Sequence, residues 1–472
     1  MRLLPCLIAA ALLALPAHAS TPGSGLDAAD IAAAEGLRDR AIQGSQAWAL
    51  VESLTTEVGP RIAGSPADAR AVAWAKAKFE ALGFDKVYLE PVTFPVWVRG
   101  HERAEVLAPF PQPLVITALG GSVGTPAGGV EAEVVAFADL AALSAAPEGS
   151  LKGKIAYISN RMVRFKDGRG YGPAVGARAN GAVEAAKKGA LAVVIRSIGT
   201  SNDRFGHTGT MRYLPEVPRI PAAALSNPDA DLLSHMVQRG QPVRLRLDIA
   251  TETRGDYTSH NVIGEIRGRD LPDEVVTIGG HLDSWDQGTG AIDDGAGVGL
   301  TMAAGALIGE LERAPRRTVR VIAYANEEQG LYGGKAYAAA RAAAGQIPGH
   351  QLSAESDFGA GRIYALRAGV DPAAWPVIER IGQVLAPLGI ATEATGGSPG
   401  PDVGPIVALG APWAQLAQDG TDYFDYHHTA NDTLDKIDPK ALDQQVAAYA
   451  VLAYLAAETD VDFGAVPVKP AN

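Results

Sequence analysis

The sequence predicts an α/β protein, a mostly parallel sheet sandwiched by helices, with a distinct segment in its middle third. Three observations carry this reading. From about Asp256 strand and helix patterns alternate, polar residues gather just beyond the predicted strand ends, and the middle third breaks into short strands and helices divided by Gly and Pro. Alternation of that kind implies parallel strands joined by covering helices, and open sheets of this type place their sites beyond the C-terminal ends of the strands.

The chain opens on MRLLPCLIAAALLALPAHAS, with one Arg, an apolar run from Leu3 to Leu15, and Ala17 and Ala19 flanking His18. That is the pattern of a secretory signal peptide, residues 1–19, too short and wrongly flanked for a membrane anchor. A secreted or periplasmic location is therefore expected. The only cysteine, Cys6, lies inside this segment, so disulfides cannot stabilise the mature protein. Core size, metal or assembly, a homodimer being one form, must do so instead. With 472 residues and 47% hydrophobic composition there is material for more than one domain. The net charge of −12 and the lack of a Lys/Arg-rich run make nucleic acid and anionic membranes poor partners.

Helical spacing of apolar residues runs from Leu26 to Leu54 and through PADARAVAWAKAKFEALGF, where Gly83 ends it. A strand-like stretch, DKVYLEPVTFPVWVRG, follows. In the middle third GGVEAEVVAFADLAAL, LKGKIAYISN, GAVEAAKKGALAVVIRS and IPAAALSNPDADLLSHMVQRG read as short strands and helices. Beyond them come EVVTIGGH as strand, GAGVGLTMAAGALIGELE as helix, RTVRVIAYAN as strand and YGGKAYAAARAAA as helix, then strands near Ser353 and Ile363. No internal repeat is visible.

Chemistry concentrates where these strands end. His281 and Asp283 follow EVVTIGG, Asp293 and Asp294 precede a helix, Glu327 and Glu328 follow VRVIAYAN, Asp357 follows another strand, and YHHTAND lies near the C-terminus. The fold would bring most of them to one rim of the sheet. Unpaired carboxylates are too costly to bury, so this density of acid implies either solvent or cations among them. Imidazole mixed with carboxylate suits Zn²⁺, and a bridging carboxylate suits a pair of ions. One free carboxylate must then serve as general base toward a metal-bound water, and the adjacent Glu327 and Glu328 offer two roles from one loop.

At HLDSWDQGTGAIDDGAG, NEEQGLYG, ESDFGAG and HHTANDT the sequence resembles metallopeptidase family 28, the exopeptidases with two co-catalytic zinc ions. The resemblance implies the zinc exopeptidase fold, with a small β-rich protease-associated domain inserted at 119–252 between catalytic segments 20–118 and 253–472. It implies His281 as ligand of one zinc, Asp293 as bridging ligand, Glu328 and Asp357 as further carboxylate ligands, and His428 as the last. Of the doublet His427 and His428, the second stands four residues before Asp432, as in the family's HxxxDT pattern. Glu327 would be the general base, and Asp283 would accept the other ring N–H of His281 and fix its tautomer. The Asp293–Asp294 peptide would be cis.

Plainer readings apply to several residues. Asp294 can cap the helix that starts near Gly295. His207, His260 and His350 show no partner pattern and read as surface or structural histidines. Tyr423, Phe424 and Tyr426 read as packing residues, although a tyrosine there could donate to an oxyanion. The insert carries no ligand motif and is expected to shape or cover the cleft, while the catalytic part binds zinc without it.

The expected substrate is a dipeptide or short peptide. Surplus acids beside the motifs, such as Asp286 and Asp422, suggest an acidic wall that captures a free amino group, hence dipeptidase or aminopeptidase action. N-acetylation should then abolish cleavage, and C-terminal amidation should be better tolerated. Carboxypeptidase action on the C-terminal end is the alternative. A single-zinc acyltransferase like the glutaminyl cyclases fits a five-ligand set less well, and a non-catalytic receptor-like relative would have lost ligands.

Overall fold

The computed structural model describes residues 23–467, so the signal-peptide reading of residues 1–19 lies outside the described residues. The N-terminal helices are α1 (Ala28–Gln43) and α2 (Ala47–Ser53), followed by α3 (Pro66–Ala81). Asp27 caps α1 and exchanges hydrogen bonds with Asp30 in a capping box, while Ser65 caps α3 just before Pro66. The 23-residue strand β1 (Lys86–Ala108) comes next, then β2 (Gln112–Leu114) and β3 (Ile116–Ala118).

In the middle third, strands alternate with helices: β4 (Val130–Phe137), α4 (Leu140–Ser144), β5 (Lys154–Ile158), α5 (Tyr171–Lys187), β6 (Ala192–Arg196), β7 (Ala222–Leu225) and α6 (Asn227–Gln238). Strands β4 to β7 are parallel in sequence order, and β3 closes the far edge antiparallel to β7. The expectation of a β-rich insert is corrected here. Parallel neighbours need crossover connections, and α4 and α5 supply those from β4 to β5 and from β5 to β6, so the segment is α/β. Its core is Tyr157, Val194, Leu225, Leu233 and Leu245 with their neighbours.

The second long strand, β8 (Arg244–Ile266), joins the two halves. Its first part pairs with β4, its last part with β10 (Arg317–Tyr324), and almost its whole length with β1. The proposed boundary at 252/253 thus falls inside a continuous strand. Pro91 and Pro95 fit on β1, because the strand there has β8 on one side only.

Between β8 and β10 lie β9 (Leu271–His281) and α7 (Ala296–Gly309). The remaining elements are α8 (Tyr332–Ala343), β11 (His350–Glu355), β12 (Ile363–Gly369), α9 (Trp375–Leu385), β13 (Ala391–Thr392), α10 (Gly404–Val407), β14 (Trp413–Gln418), α11 (Tyr423–Tyr426) and α12 (Pro439–Glu458). The sheet order is β13-β12-β14-β11-β9-β10-β8-β4-β5-β6-β7-β3. Strands β9, β10, β11 and β14 are parallel, whereas β8 runs against β10 and β12 runs against β14, giving the mixed sheet of an α/β fold.

Both faces of this half are covered, which explains the nearly continuous apolar runs. On β10, Val319, Val321 and Ala323 join the core under α7 and α12, while Ile322 and Tyr324 face the other way, with Tyr337, Val403 and Ile406. Residues 291–309, which end in α7, are apolar enough to cross a membrane, yet 94% of that window is buried within the protein. It is the central core helix. Buried polar groups on α12 are satisfied: Gln444 exchanges two hydrogen bonds with the main chain of Ile363.

Candidate metal centre

Strand β9 ends at His281, whose ring is fully buried. Gly280 lets the strand pass the start of α7, because a Cβ there would collide with the Asp294 carboxylate and the main chain of Gly297. Asp294 accepts the Gly297 N–H at 3.0 Å and the His281 N–H at 3.1 Å, so it caps α7 as expected. The Asp293–Asp294 peptide is cis. The turn carrying Asp293 is held from the C-terminal loop, where the Asp432 carboxylate accepts the N–H of Ile292 at 2.6 Å. That contact gives the HxxxDT spacing its physical reason.

The structure brings His281, Asp293, Glu328, Asp357 and His428 together. His281 Nε2 lies 3.0 Å from Asp293 Oδ1 and 3.6 Å from Asp357 Oδ1. His428 Nε2 lies 3.0 Å from Glu328 Oε2 and 3.4 Å from Asp293 Oδ2. Asp293 therefore stands between the two imidazoles. Three groups each place their donor atoms within 4.8 Å of one another: His281 with Asp293 and Glu328, Asp293 with His427 and His428, and His281 with Asp294 and Asp357. Glu327 belongs to none of these groups but lines the same cavity, half-buried.

Asp283 differs in detail from expectation. The His281 Nδ1–H donates to the main-chain carbonyl of Asp283 at 3.0 Å, while the Asp283 carboxylate is 3.6 Å away. That carboxylate instead accepts the Glu327 N–H at 2.9 Å. Either way Nδ1 carries the proton and Nε2 presents its lone pair to the donor cluster. His428 is arranged likewise, its Nδ1 facing the Thr208 carbonyl at 3.3 Å. His428 has φ 61° and Asn326, just before Glu327, has φ 51°, a left-handed backbone that costs a non-glycine residue energy and clusters at functional sites.

These donors fit zinc. Asp293 Oδ2, Glu328 Oε1 and Asp283 Oδ2 are buried without a hydrogen-bond partner among the described residues. A cation satisfies such atoms, and mixed imidazole and carboxylate donors suit Zn²⁺. Burial pushes the carboxyl groups of Glu328 and Glu327 well above the usual range, and neighbouring carboxylates add to it. His281 is driven the other way from its burial, its carboxylate partners raising it well above an ordinary imidazole.

Several contacts had no sequence signal. Arg61 is fully buried beneath the acid-rich loop, donating to the carbonyls of Leu282 at 2.5 Å, Thr289 at 2.7 Å and Gly290 at 2.8 Å. A lone Arg in GPRIAG belongs to no periodic pattern. The middle segment also reaches the site. His207 is buried and structural, its Nδ1 donating to the His427 carbonyl at 2.9 Å, the Thr208 N–H donates to the His428 carbonyl, and the Thr210 hydroxyl donates to the Glu328 carbonyl. His350 is buried too, against Tyr337.

The cluster opens into a cavity of about 260 Å³, also lined by Tyr171, Arg178, Phe358 and Tyr423. The acidic wall expected from Asp286 is not there. Arg99 Nε pairs with Asp286 at 2.8 Å, and Asp422 lines a neighbouring cavity. Tyr423 packs on Phe358 and His427.

Residues 261–453 match the model of Peptidase family M28. Mouse (Mus musculus) carboxypeptidase Q is 35% identical over 407 residues, covering 86% of this chain and 84% of the mouse protein. The crystal structure of a Peptidase M28 precursor from Shewanella amazonensis superposes with a TM-score of 0.91 at 53% identity, covering 93% of this chain and 99% of that one. A zinc aminopeptidase from Bacillus subtilis shares the fold, with a TM-score of 0.63 at 20% identity over 90% of this chain and 98% of its own.

Proposed function

The chain belongs to peptidase family M28 and is a zinc metallopeptidase, and from that premise we propose that it is an exopeptidase holding two zinc ions and acting on dipeptides or the N-terminal residue of short peptides. The observation that carries this reading is the position of Asp293 between His281 and His428, each imidazole within 3.4 Å of one of its oxygens. His281, Asp293 and Asp357 would hold one ion, and Asp293, Glu328 and His428 the other, Asp293 bridging them. Bound zinc would polarise the scissile carbonyl and acidify water at the site.

The protein's own groups supply the rest. Glu327, outside the donor groups and facing the cavity, accepts a proton from water and returns it to the leaving amine. The Asp283 carboxylate holds the Glu327 main chain in place. The cavity at the donor cluster, about 260 Å³, adjoins a second one that shares Asp357, Phe358 and Pro401 with it, which leaves room for the residues of a short peptide. Residues 119–252 act as an inserted module of the protease-associated kind that shapes the cleft, and the leader-like residues 1–19 direct the enzyme outside the cytoplasm, secreted or periplasmic.

The test is hydrolysis of a free dipeptide and of its N-acetylated form, before and after dialysis against a chelator. The proposal expects cleavage of the free dipeptide alone, lost on chelation and restored by zinc. Cleavage that survives chelation, or that favours the acetylated form, would overturn it.

A further inference from the structure

We propose that the loop His207–Thr210 positions His428 and Glu328, so that the middle segment sets how tightly one of the two zinc ions is held and leaves the other unaffected. This rests on the two-zinc reading above. The two ions draw their support from different parts of the chain. His281 is steadied locally, its Nδ1–H donating to the Asp283 carbonyl at 3.0 Å and its main-chain N–H to the Asp294 carboxylate at 3.1 Å. Glu328 and His428 are steadied from the loop between β6 and β7, which lies 118 and 220 residues away in sequence.

Thr208 grips His428 at two points. Its N–H donates to the His428 carbonyl at 3.0 Å, and its own carbonyl faces the ring Nδ1 at 3.3 Å. His428 needs such a grip, because its backbone sits in the left-handed region at φ 61°, which a non-glycine residue leaves unless its surroundings hold it there. On either side of Thr208, the Thr210 hydroxyl donates to the Glu328 carbonyl at 2.6 Å and His207 Nδ1 donates to the His427 carbonyl at 2.9 Å. Gly209 has φ 127°, and a Cβ on it would lie 2.7 Å from His428 Nδ1 and closer still to the Arg178 guanidinium. Only glycine lets the loop pass this near the ligand ring.

The far side of the loop is fastened to the middle segment's own sheet. Ser197, just beyond β6, accepts the His207 N–H at 2.8 Å, the Thr208 hydroxyl donates to the Ala118 carbonyl at the end of β3 at 2.9 Å, and the Gly120 N–H donates to the Gly209 carbonyl at 3.0 Å. The position of that sheet is thus carried to Thr208 and on to the ligand. A group that orients a ligand imidazole through its other ring nitrogen is worth about 10–100-fold in metal affinity. Linkage makes the effect mutual: an ion on His428 and Glu328 holds the loop as firmly as the loop holds the ion.

The experiment titrates zinc into the metal-free protein against a chromogenic chelator, in wild type, Gly209→Ala, Thr210→Val and Thr210→Ser, and follows amide hydrogen exchange of the wild type with and without zinc. Wild type should bind two ions. Gly209→Ala and Thr210→Val should weaken one of them by about 10–100-fold and leave the other unchanged, and Thr210→Ser, which keeps the hydroxyl, should restore most of the loss. Gly209→Ala added to His428→Ala, which retains the His281 ion alone, should change nothing further. In the wild type, zinc should slow exchange at Thr208 by a similar factor, beyond any slowing in β5. Exchange at Thr208 that zinc leaves unchanged, or slows no more than in β5, overturns the inference whether or not the variants fold. So do equal losses at both ions, which mark a general loosening of the fold, and two undisturbed affinities. A wild type that binds a single ion refutes the two-zinc reading itself, and the inference falls with it.

Discussion

The Asp432 carboxylate reaches across 139 residues of sequence to accept the main-chain N–H of Asp293 at 3.3 Å, alongside the stronger bond from Ile292. The residue that would bridge two metals is thus aimed by a side chain that touches neither. Asp432→Ala should lower zinc affinity by about 10–100-fold, as expected for loss of a supporting group around a metal site. Competition with a chromogenic chelator measures this, and unchanged affinity would show that the turn holds itself.

Arg61 does the same work from below. Truncation to Ala would leave the carbonyls of Leu282, Thr289 and Gly290 without donors and remove the cation nearest four buried carboxylates. The expected loss of stability is about 3–5 kcal/mol. Urea unfolding of the metal-free protein reads it directly, and a shift under about 1 kcal/mol would mean that the loop is fixed by other contacts.

His350 provides a pH signature remote from the metals. Its Nδ1–H donates to the Gln346 carbonyl at 2.9 Å and its Nε2 accepts from the Tyr337 hydroxyl at 2.9 Å, so the neutral ring is the one that fits. Burial pushes it down to about 4 from an ordinary 6.5. Between those values the unfolded chain takes up a proton that the folded one refuses. The stability is therefore complete above about pH 6.5 and is lost as pH falls toward 4. The loss is about 3 kcal/mol. Chemical unfolding of wild type and His350→Gln at several pH values should show the wild type losing this much more over the interval, and parallel pH curves would contradict the assignment.

Glu327→Gln should keep both metals and reduce turnover by about 10²–10⁴-fold. Metal analysis and dipeptide assays on one preparation decide this. Near-normal activity would remove Glu327 as the base.

Much of this is legible in the sequence. The strands ending at His281 and Tyr324, and helix α7 between them, follow from apolar runs bounded by Gly and charge, and the loop residues at their ends fall where such a sheet places them. Other features carry no local pattern. Strands β1 and β8 run for 23 residues each through both halves, but Pro95, Gly100 and Gly255 interrupt their alternation, so the continuity of the sheet appears only in space. Arg178 lies in an Ala-rich run with no motif around it, and only the fold turns that helix toward the site. Asp286 reads as a free acid until Arg99, 187 residues earlier, is found against it. Long-range pairing of charges is the information that a single sequence does not display.

The central claim, that Asp293 joins two metal sites, is tested most directly by the zinc-to-protein ratio of the metal-loaded enzyme beside that of Asp293→Ala. The account predicts two zinc ions per chain in the wild type and a marked loss in the variant. One ion or none in the wild type, or an undiminished pair in the variant, would contradict it.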